Sequence, residues 1–408
     1  MSITKILGKT SKILSEVFMI NVLIVSIGLL TNILIARWFG QENFGIFMYF
    51  FSLTNLIYLF ASFGFANYIA KLRQDELGKK LFAKIILITL ITTLIVSILV
   101  SIAGQNITPP IKFWFWLVFL YAFGITFFNI VGGAIRRLEK FRLAIYFSLL
   151  NRIVLLTLIV ISAILQNFWF VLLSMSIAIL SLVLIELPKL KLVKTNTNIR
   201  TTLFRTVPFL LALLSMQALY HIDRVSINYL LSFTQLGYFS GYSNFINILR
   251  IGAFTIPFVM ITKSSRQKYN LQKSLRKISF LLIPIALGIG LTTPYIVPFL
   301  FGPAFMIVNY PLIWMMILAS SLLVIYSLVN AIYLGSGIST HRMTHILLFD
   351  AGLSVVLNLV LNILLISKYG LVGAPLATAI TLFVKIVLNA TAINSANKFL
   401  VESKLSLD

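Results

Sequence analysis

The sequence predicts an all-α membrane protein with about twelve transmembrane helices. Of its 408 residues, 60% are hydrophobic and 11% are charged, and the mean hydropathy is +1.02. This composition is far more apolar than that of a soluble domain. Apolar stretches such as 18–36 and 85–103 are each close to the ~20 residues that cross about 30 Å of hydrocarbon. The net charge of +23 comes from basic residues between such stretches, which is not the pattern of a nucleic-acid-binding surface.

Glycine, proline and charged residues mark the ends of twelve apolar segments. The first six lie at 18–36, 44–70, 85–103, 113–135, 143–165 and 169–187. The second six lie at 207–231, 236–262, 278–301, 311–334, 346–367 and 371–391. The ninth segment contains three prolines and two glycines, which predicts a bent helix.

The distribution of lysine and arginine predicts the orientation of the chain, because short cytoplasmic loops retain basic residues. With twelve spans, 26 of the 33 basic residues fall on one side of the membrane, including those near the N-terminus and the C-terminus. The opposite side carries only Arg37, Lys112 and Lys368. Both termini are therefore predicted to be cytoplasmic.

The longest polar connection divides the chain into two halves of six spans. We predict an N-terminal lobe at 1–187, a cytoplasmic linker at 188–206 and a C-terminal lobe at 207–408. A shift of 192 residues aligns five identities between the second and eighth spans, namely Gly45 with Gly237, Phe47 with Phe239, Asn55 with Asn247, Ala61 with Ala253 and Lys71 with Lys263. Halves that repeat after six crossings have the same topology, so a substrate cavity is expected between them.

Three segments resemble the oligosaccharide-lipid flippases of the multidrug/oligosaccharidyl-lipid/polysaccharide exporter superfamily, and most of all the Wzx-type O-antigen flippases. The segment NILIARWFGQENFG resembles their pattern of a small residue and arginine, then glycine, then an aromatic residue and glycine. The start of the second half is similar through Pro208, Asp223, Gly237 and Tyr238, and the segment GLVGAPLATAI resembles the end of the family.

The resemblance implies a MATE-like fold in which two six-helix lobes form a V that opens alternately to each side. It also implies transport of an undecaprenyl-diphosphate-linked oligosaccharide, such as an O-antigen repeat unit, across the bacterial inner membrane. Membrane lipids and the polysaccharide polymerase machinery are the implied partners. Neither a cofactor nor catalysis is expected.

Two other functions remain open at this point. A drug or cation antiporter of the same superfamily typically carries an acidic residue in the first span, whereas segment 18–36 contains none. A membrane glycan polymerase or glycosyltransferase usually needs carboxylates or a metal at the sugar bond, and the predicted external connections hold only Glu42. His341 and His345 have the spacing of zinc ligands without an acidic third ligand, so no metal site is predicted.

Four arginines are the candidate substrate-binding residues. A positive charge within the membrane is costly, so such side chains should face protein or water rather than lipid. They are Arg37, Arg152, Arg224 and Arg250. A lipid diphosphate carries about two negative charges, and the planar guanidinium binds phosphate oxygens with two parallel hydrogen bonds. The alternative is that these arginines cap helices or hold them together.

Asp223 is the acidic residue placed deepest within a predicted span, so it is the candidate site for coupling to protons or sodium. A static salt bridge to an arginine is the alternative interpretation. Asp350 and Lys385 lie in the last two spans, where mutual pairing or extension of the lysine to the membrane surface accounts for them.

Overall fold

The computed structural model describes residues 3–72, 77–103, 111–138, 140–190, 192–193, 199–250, 253, 271–335 and 340–405. Within these ranges the chain is helical, and its only β pairing is an isolated bridge between Gly78 and Val193. The chain divides into two compact units, Met1–His221 and Ile222–Asp408.

The first unit contains α1 (Ile3–Ala61), α2 (Phe65–Lys71), α3 (Lys79–Ala103), α4 (Ile111–Arg137), α5 (Phe141–Ile164), α6 (Phe168–Glu186) and the first part of α7 (Ile199–Leu230). Within α1, Gly40 interrupts the helix with φ of 83° and ψ of 172°. Glycine adopts positive φ without the steric cost that other residues meet. This interruption separates the predicted first and second spans.

The start of the predicted linker is attached to the first unit. The backbone N–H of Lys79 donates to the carbonyl of Val193 at 2.9 Å, and the N–H of Val193 donates to the carbonyl of Leu77 at 3.2 Å. Residues 191 and 194–198 of the linker lie outside the described ranges. The division of the chain at 188–206 therefore stays a prediction.

The second unit contains the rest of α7, α8 (Phe233–Ile246), α9 (Leu271–Phe301), α10 (Tyr310–Gly335), α11 (Thr340–Gly352), α12 (Asn358–Tyr369) and α13 (Gly373–Leu405). A π-helical turn, Leu353–Leu357, joins α11 to α12 without a break. α13 packs along both α10 and α12, and this packing forms the centre of the unit.

Nine helical segments in the described ranges are long and apolar enough to cross a membrane. Two of them, Met19–Ala61 and His345–Thr391, have 43 and 47 residues, about twice the length of one crossing. A glycine with positive φ divides each of them, Gly40 in the first and Gly370 in the second. The predicted eighth span is described as helix at Phe233–Ile246, and most of its remainder at 251–262 lies outside the described ranges. With the two long segments counted as two crossings each, the nine described segments correspond to eleven of the twelve predicted spans of a multi-pass membrane protein, and the eighth is described only in part.

Candidate functional site

Asp223 lies in the middle of a buried polar cluster that three helices of the second unit build. α7 contributes Asp223, which is 5% exposed, α12 contributes Asn358 and Asn362, and α13 contributes Thr378. Asn358 and Asn362 are fully buried, and they are one helical turn apart, so both face the same neighbours. The cluster is therefore assembled by packing between helices that are distant in sequence.

Hydrogen bonds hold both carboxylate oxygens of Asp223. Oδ1 accepts from the amide Nδ2 of Asn362 at 2.9 Å, and Oδ2 accepts from the hydroxyl of Thr378 at 2.5 Å. The same Asn362 Nδ2 also contacts the side-chain oxygen of Asn358 at 2.9 Å. A buried charge has a large desolvation cost unless such bonds compensate it. All of these donors are neutral.

One oxygen of this cluster has no donor. Asn362 Oδ1 is buried and accepts no hydrogen bond within the described residues. It lies on the same amide whose Nδ2 contacts both Asp223 and Asn358. Buried polar atoms are nearly always paired, so Asn362 Oδ1 is the acceptor of this cluster that the described hydrogen bonds leave open. The oxygen atoms of the cluster come from a carboxylate, amides and a hydroxyl, which are the ligands that hard cations prefer.

Arg224 is next to Asp223 in sequence, yet the two side chains bind different partners. Arg224 is 1% exposed, and its Nη2 donates to Ser243 Oγ at 3.4 Å and to Asn244 Oδ1 at 3.3 Å, both on α8. Successive residues of an α-helix point about 100° apart, which separates the two groups. The ion pairs found among the described residues do not include Asp223. A salt bridge from Asp223 to an arginine stays a prediction.

Arg250 belongs to the same unit and ends the 3₁₀ turn Asn247–Arg250 that follows α8. Its Nε donates to Ser320 Oγ of α10 at 3.3 Å. The guanidinium lies close enough to Asp223 to act on it electrostatically. The structure thus brings Asp223, Arg224 and Arg250 into one unit.

Arg37 and Arg152 belong to the first unit. Arg37 is exposed, three residues before the interruption at Gly40. Arg152 is half-buried in α5 and lies within electrostatic range of the buried Tyr121 hydroxyl of α4. The joint contact of all four arginines with one substrate stays a prediction.

Sequence reasoning missed Asn358, Asn362 and Thr378, although a signal was present. From Asp350 onward, polar residues recur every four positions in an otherwise apolar stretch, at 350, 354, 358 and 362. Neutral polar side chains are common in membrane helices, where they bond across helices. Only the packing of α7, α12 and α13 identifies which of them surround Asp223.

Solved structures of transporters share this fold. The lipid II flippase MurJ in an inward closed conformation matches with a TM-score of 0.69 and 18% identity, over 92% of this chain and 87% of that chain. An inward-facing multidrug resistance MATE family transporter of the MOP superfamily matches with a TM-score of 0.65 and 15% identity, over 91% and 95%. The MATE multidrug transporter DinF-BH matches with a TM-score of 0.60 and 14% identity, over 94% of each chain. Identities this low establish the fold alone.

Comparison of the sequence with protein families is more specific than the structural match. No curated protein is similar enough in sequence to count as a relative. The family model described as polysaccharide biosynthesis protein matches residues 14–261, which is more than half of the chain and extends from α1 through α8. The protein is therefore a member of the polysaccharide biosynthesis protein family.

Proposed function

We propose that this protein is a flippase that moves an undecaprenyl-diphosphate-linked oligosaccharide from the cytoplasmic to the periplasmic leaflet of the bacterial inner membrane. The observation that carries the proposal is membership of a polysaccharide biosynthesis family on a fold shared with a lipid flippase. Polysaccharide assembly from lipid-linked units requires a step that carries the hydrophilic part across the bilayer. An O-antigen repeat unit is the substrate that the sequence motifs favour.

The arginines supply the chemistry that a diphosphate requires. Arg224 is almost completely buried in a membrane-spanning helix, and its Nη2 donates to a serine and an asparagine of α8, which orient the guanidinium. A charge in a low-dielectric site attracts an anion more strongly than the same charge in water. Arg152 and Arg250 are the further substrate-binding candidates within helices, and Arg37 is the candidate at the end of the first crossing.

Transport rather than catalysis fits the family and its structural neighbours, which are transporters. The MATE-like fold also occurs in multidrug transporters, so drug or cation antiport is the second candidate function. The family match and the lack of an acidic residue in segment 18–36 favour the lipid-linked substrate. Purified protein in liposomes distinguishes the two, because the flippase moves a fluorescent lipid-linked oligosaccharide between leaflets and the antiporter moves soluble cations.

A sodium ion bound at Asp223 is the coupling cation that the geometry supports best. The carboxylate, the unpaired Asn362 Oδ1 and the oxygens of Asn358 and Thr378 together offer the several ligands that a metal cation needs. A proton needs only one acceptor. A sodium gradient should therefore accelerate flipping in liposomes, whereas acceleration by a proton gradient alone would assign the coupling to protons.

Substitution of Arg152, Arg224 and Arg250 tests the substrate site. Alanine or glutamine at Arg152, Arg224 or Arg250 should remove most of the flipping, and lysine should retain part of it because the charge stays while the planar donor set is lost. Arg142 is the matched control, since it is exposed and lies on α5 as Arg152 does. Normal flipping by well-folded alanine variants at all three positions would contradict the proposed site.

Topology gives an independent test. Reporter fusions at both termini and within 188–206 should report a cytoplasmic location, as the distribution of basic residues requires. A periplasmic linker would contradict the predicted topology.

A further inference from the structure

A second charged cluster lies in the second unit, away from the surface. Lys385 of α13 is 0% exposed, so its amine does not extend to the membrane surface. Its Nζ lies 2.6 Å from Ser354 Oγ, 3.7 Å from Asp350 Oδ2 and 4.2 Å from the ring centroid of Tyr326. The Tyr326 hydroxyl donates to the same Asp350 oxygen. The mutual pairing of Asp350 and Lys385 that the sequence allowed is what the structure shows.

This cluster surrounds the beginning of the π-helical turn Leu353–Leu357. Ser354 is the second residue of the turn, and its hydroxyl donates to the carbonyl of Asp350 at 2.9 Å and accepts from Lys385. The turn ends where the backbone N–H of Asn358 bonds to the carbonyl of Leu353, five residues back. π-Helical turns are rare and contain one residue more than a regular helix requires. Tertiary contacts must therefore hold this one in place.

The extra residue decides which way Asn358 and Asn362 point. Twelve residues separate Asp350 from Asn362, and at about 100° per residue a regular helix would rotate Asn362 by about 120° away from the face of Asp350. With one residue absorbed by the π turn, the offset falls to about 20°. All four polar residues at 350, 354, 358 and 362 then lie on one face.

α13 contacts that face with a matching pair of residues. Thr378 and Lys385 are seven residues apart, two helical turns, so they share one side of α13. Thr378 bonds to Asp223 and lies 3.4 Å from Asn358, while Lys385 bonds to Ser354. One side of α13 thus contacts both the buried polar cluster around Asp223 and the π turn.

We infer that Lys385 and Asp350 are positioning residues for the cation site: by holding the π turn, they keep Asn358 and Asn362 directed at Asp223. The inference rests on the proposed sodium site. Neither residue touches the cation. Relaxation of the turn into a regular α-helix would rotate the two asparagines by about 100° and shift them by about 1.5 Å along the axis. The cation would then lose two of its ligands.

The test combines charge removal with a deletion that restores the register. The variant Lys385→Met with Asp350→Asn removes both charges together and avoids a buried unpaired ion. Deletion of Val356, a π-turn residue that is 63% exposed, makes a regular helix place Asn358 and Asn362 on the original face. The control is Lys189→Met with Glu186→Gln, which removes the exposed ion pair on α6 and the turn after it.

The measured quantity is the sodium dissociation constant of full-length protein in detergent, from the sodium-dependent rise of Tm in choline chloride. We expect the double variant to bind sodium about 10-fold or more weakly, as for other residues that orient metal ligands. Deletion of Val356 in that variant should restore binding, and the control should bind as the parent does. A role in general stability predicts that the deletion weakens the variant further.

The outcomes separate the inference from the proposal beneath it. Parental sodium affinity in the double variant, or no recovery after the deletion, would overturn the positioning role and leave the cation site intact. If the parental protein itself binds no sodium, both the cation site and the positioning role are wrong.

Discussion

The second unit buries two carboxylates that differ in how their charge is compensated. Asp350 contacts the amine of Lys385, so its positive partner belongs to the chain itself. Asp223 is held by the neutral donors of Asn362 and Thr378, and within the described residues it has no ion pair. Both acids are about equally buried, at 4% and 5% exposure. The difference lies in the partner and not in the depth.

This contrast indicates what each acid is for. A carboxylate with a fixed cation beside it has no need for a mobile one, and its pair serves to hold helices in one arrangement. A carboxylate whose hydrogen-bond partners are neutral retains its attraction for a cation from solution, and the nearby charge of Arg250 only weakens that attraction. Replacing charges and ligands in turn at the two sites tests the contrast, and the effects should fall in the following order.

The largest effect is expected from Lys385→Met alone. It leaves the Asp350 carboxylate buried without its cation, which costs about 3–5 kcal/mol of stability. Thermal unfolding in detergent measures the loss. The control adds Asp350→Asn, which should recover most of the Tm because no buried charge then lacks a partner. An unchanged Tm in the single variant would show that Asp350 does not depend on Lys385.

Asp223→Asn should behave in the opposite way. The variant should be as stable as the parental protein in the absence of sodium, but sodium should no longer stabilise it. At sodium concentrations about 100 times Kd, the parental protein should gain about 2.7 kcal/mol from binding, and the variant should gain almost nothing. The sodium-dependent rise in Tm measures this difference, with potassium as the control ion. Persistence of the sodium-gradient dependence of flipping in this variant would remove Asp223 from the coupling mechanism.

Thr378→Val should have a smaller effect at the same site. The change keeps the shape of the side chain and removes the hydroxyl that donates to Asp223 Oδ2, a bond to a charged group worth about 1.5–3 kcal/mol. We expect sodium affinity to fall about 10-fold, as 1.4 kcal/mol of binding energy would give. Thr381→Val is the matched control, because the Thr381 hydroxyl bonds to the carbonyl of Ala377 in its own helix. Equal effects of the two substitutions would speak against Thr378 as a ligand.

Arg250→Gln should have the smallest effect on the cation, with the reverse sign. Arg250 acts on Asp223 as a nearby positive charge, so its removal should tighten sodium binding by about 1 kcal/mol or less. Flipping should decrease in the same variant, since Arg250 is a proposed substrate contact. The effect on affinity should disappear in an Asp223→Asn background. Weaker sodium binding in Arg250→Gln would contradict this electrostatic role.

The sequence predicted the helical membrane fold because hydropathy is a property of each segment by itself. Twelve apolar segments can be identified without knowing how they pack, and the described helices, with their two glycine interruptions at Gly40 and Gly370, confirm all of them except the eighth, which is described only in part. Asp223 was also identified from sequence, since a carboxylate in an apolar segment is expensive wherever the segment packs. Its partners could not be identified from sequence, because the direction of a side chain depends on the neighbouring helices.

The sequence by itself determined the fold class, the family and the charged candidates, all of which follow from local composition and short motifs. Tertiary structure alone decided that Asn358, Asn362 and Thr378 surround Asp223, and that Lys385 pairs with Asp350. The physical reason is that these contacts join helices that are distant in sequence, and that the direction of Asn358 and Asn362 also depends on the π turn at Leu353–Leu357. One absorbed residue changes the facing of everything after it by about 100°, and no pattern of hydropathy specifies whether a helix absorbs that residue.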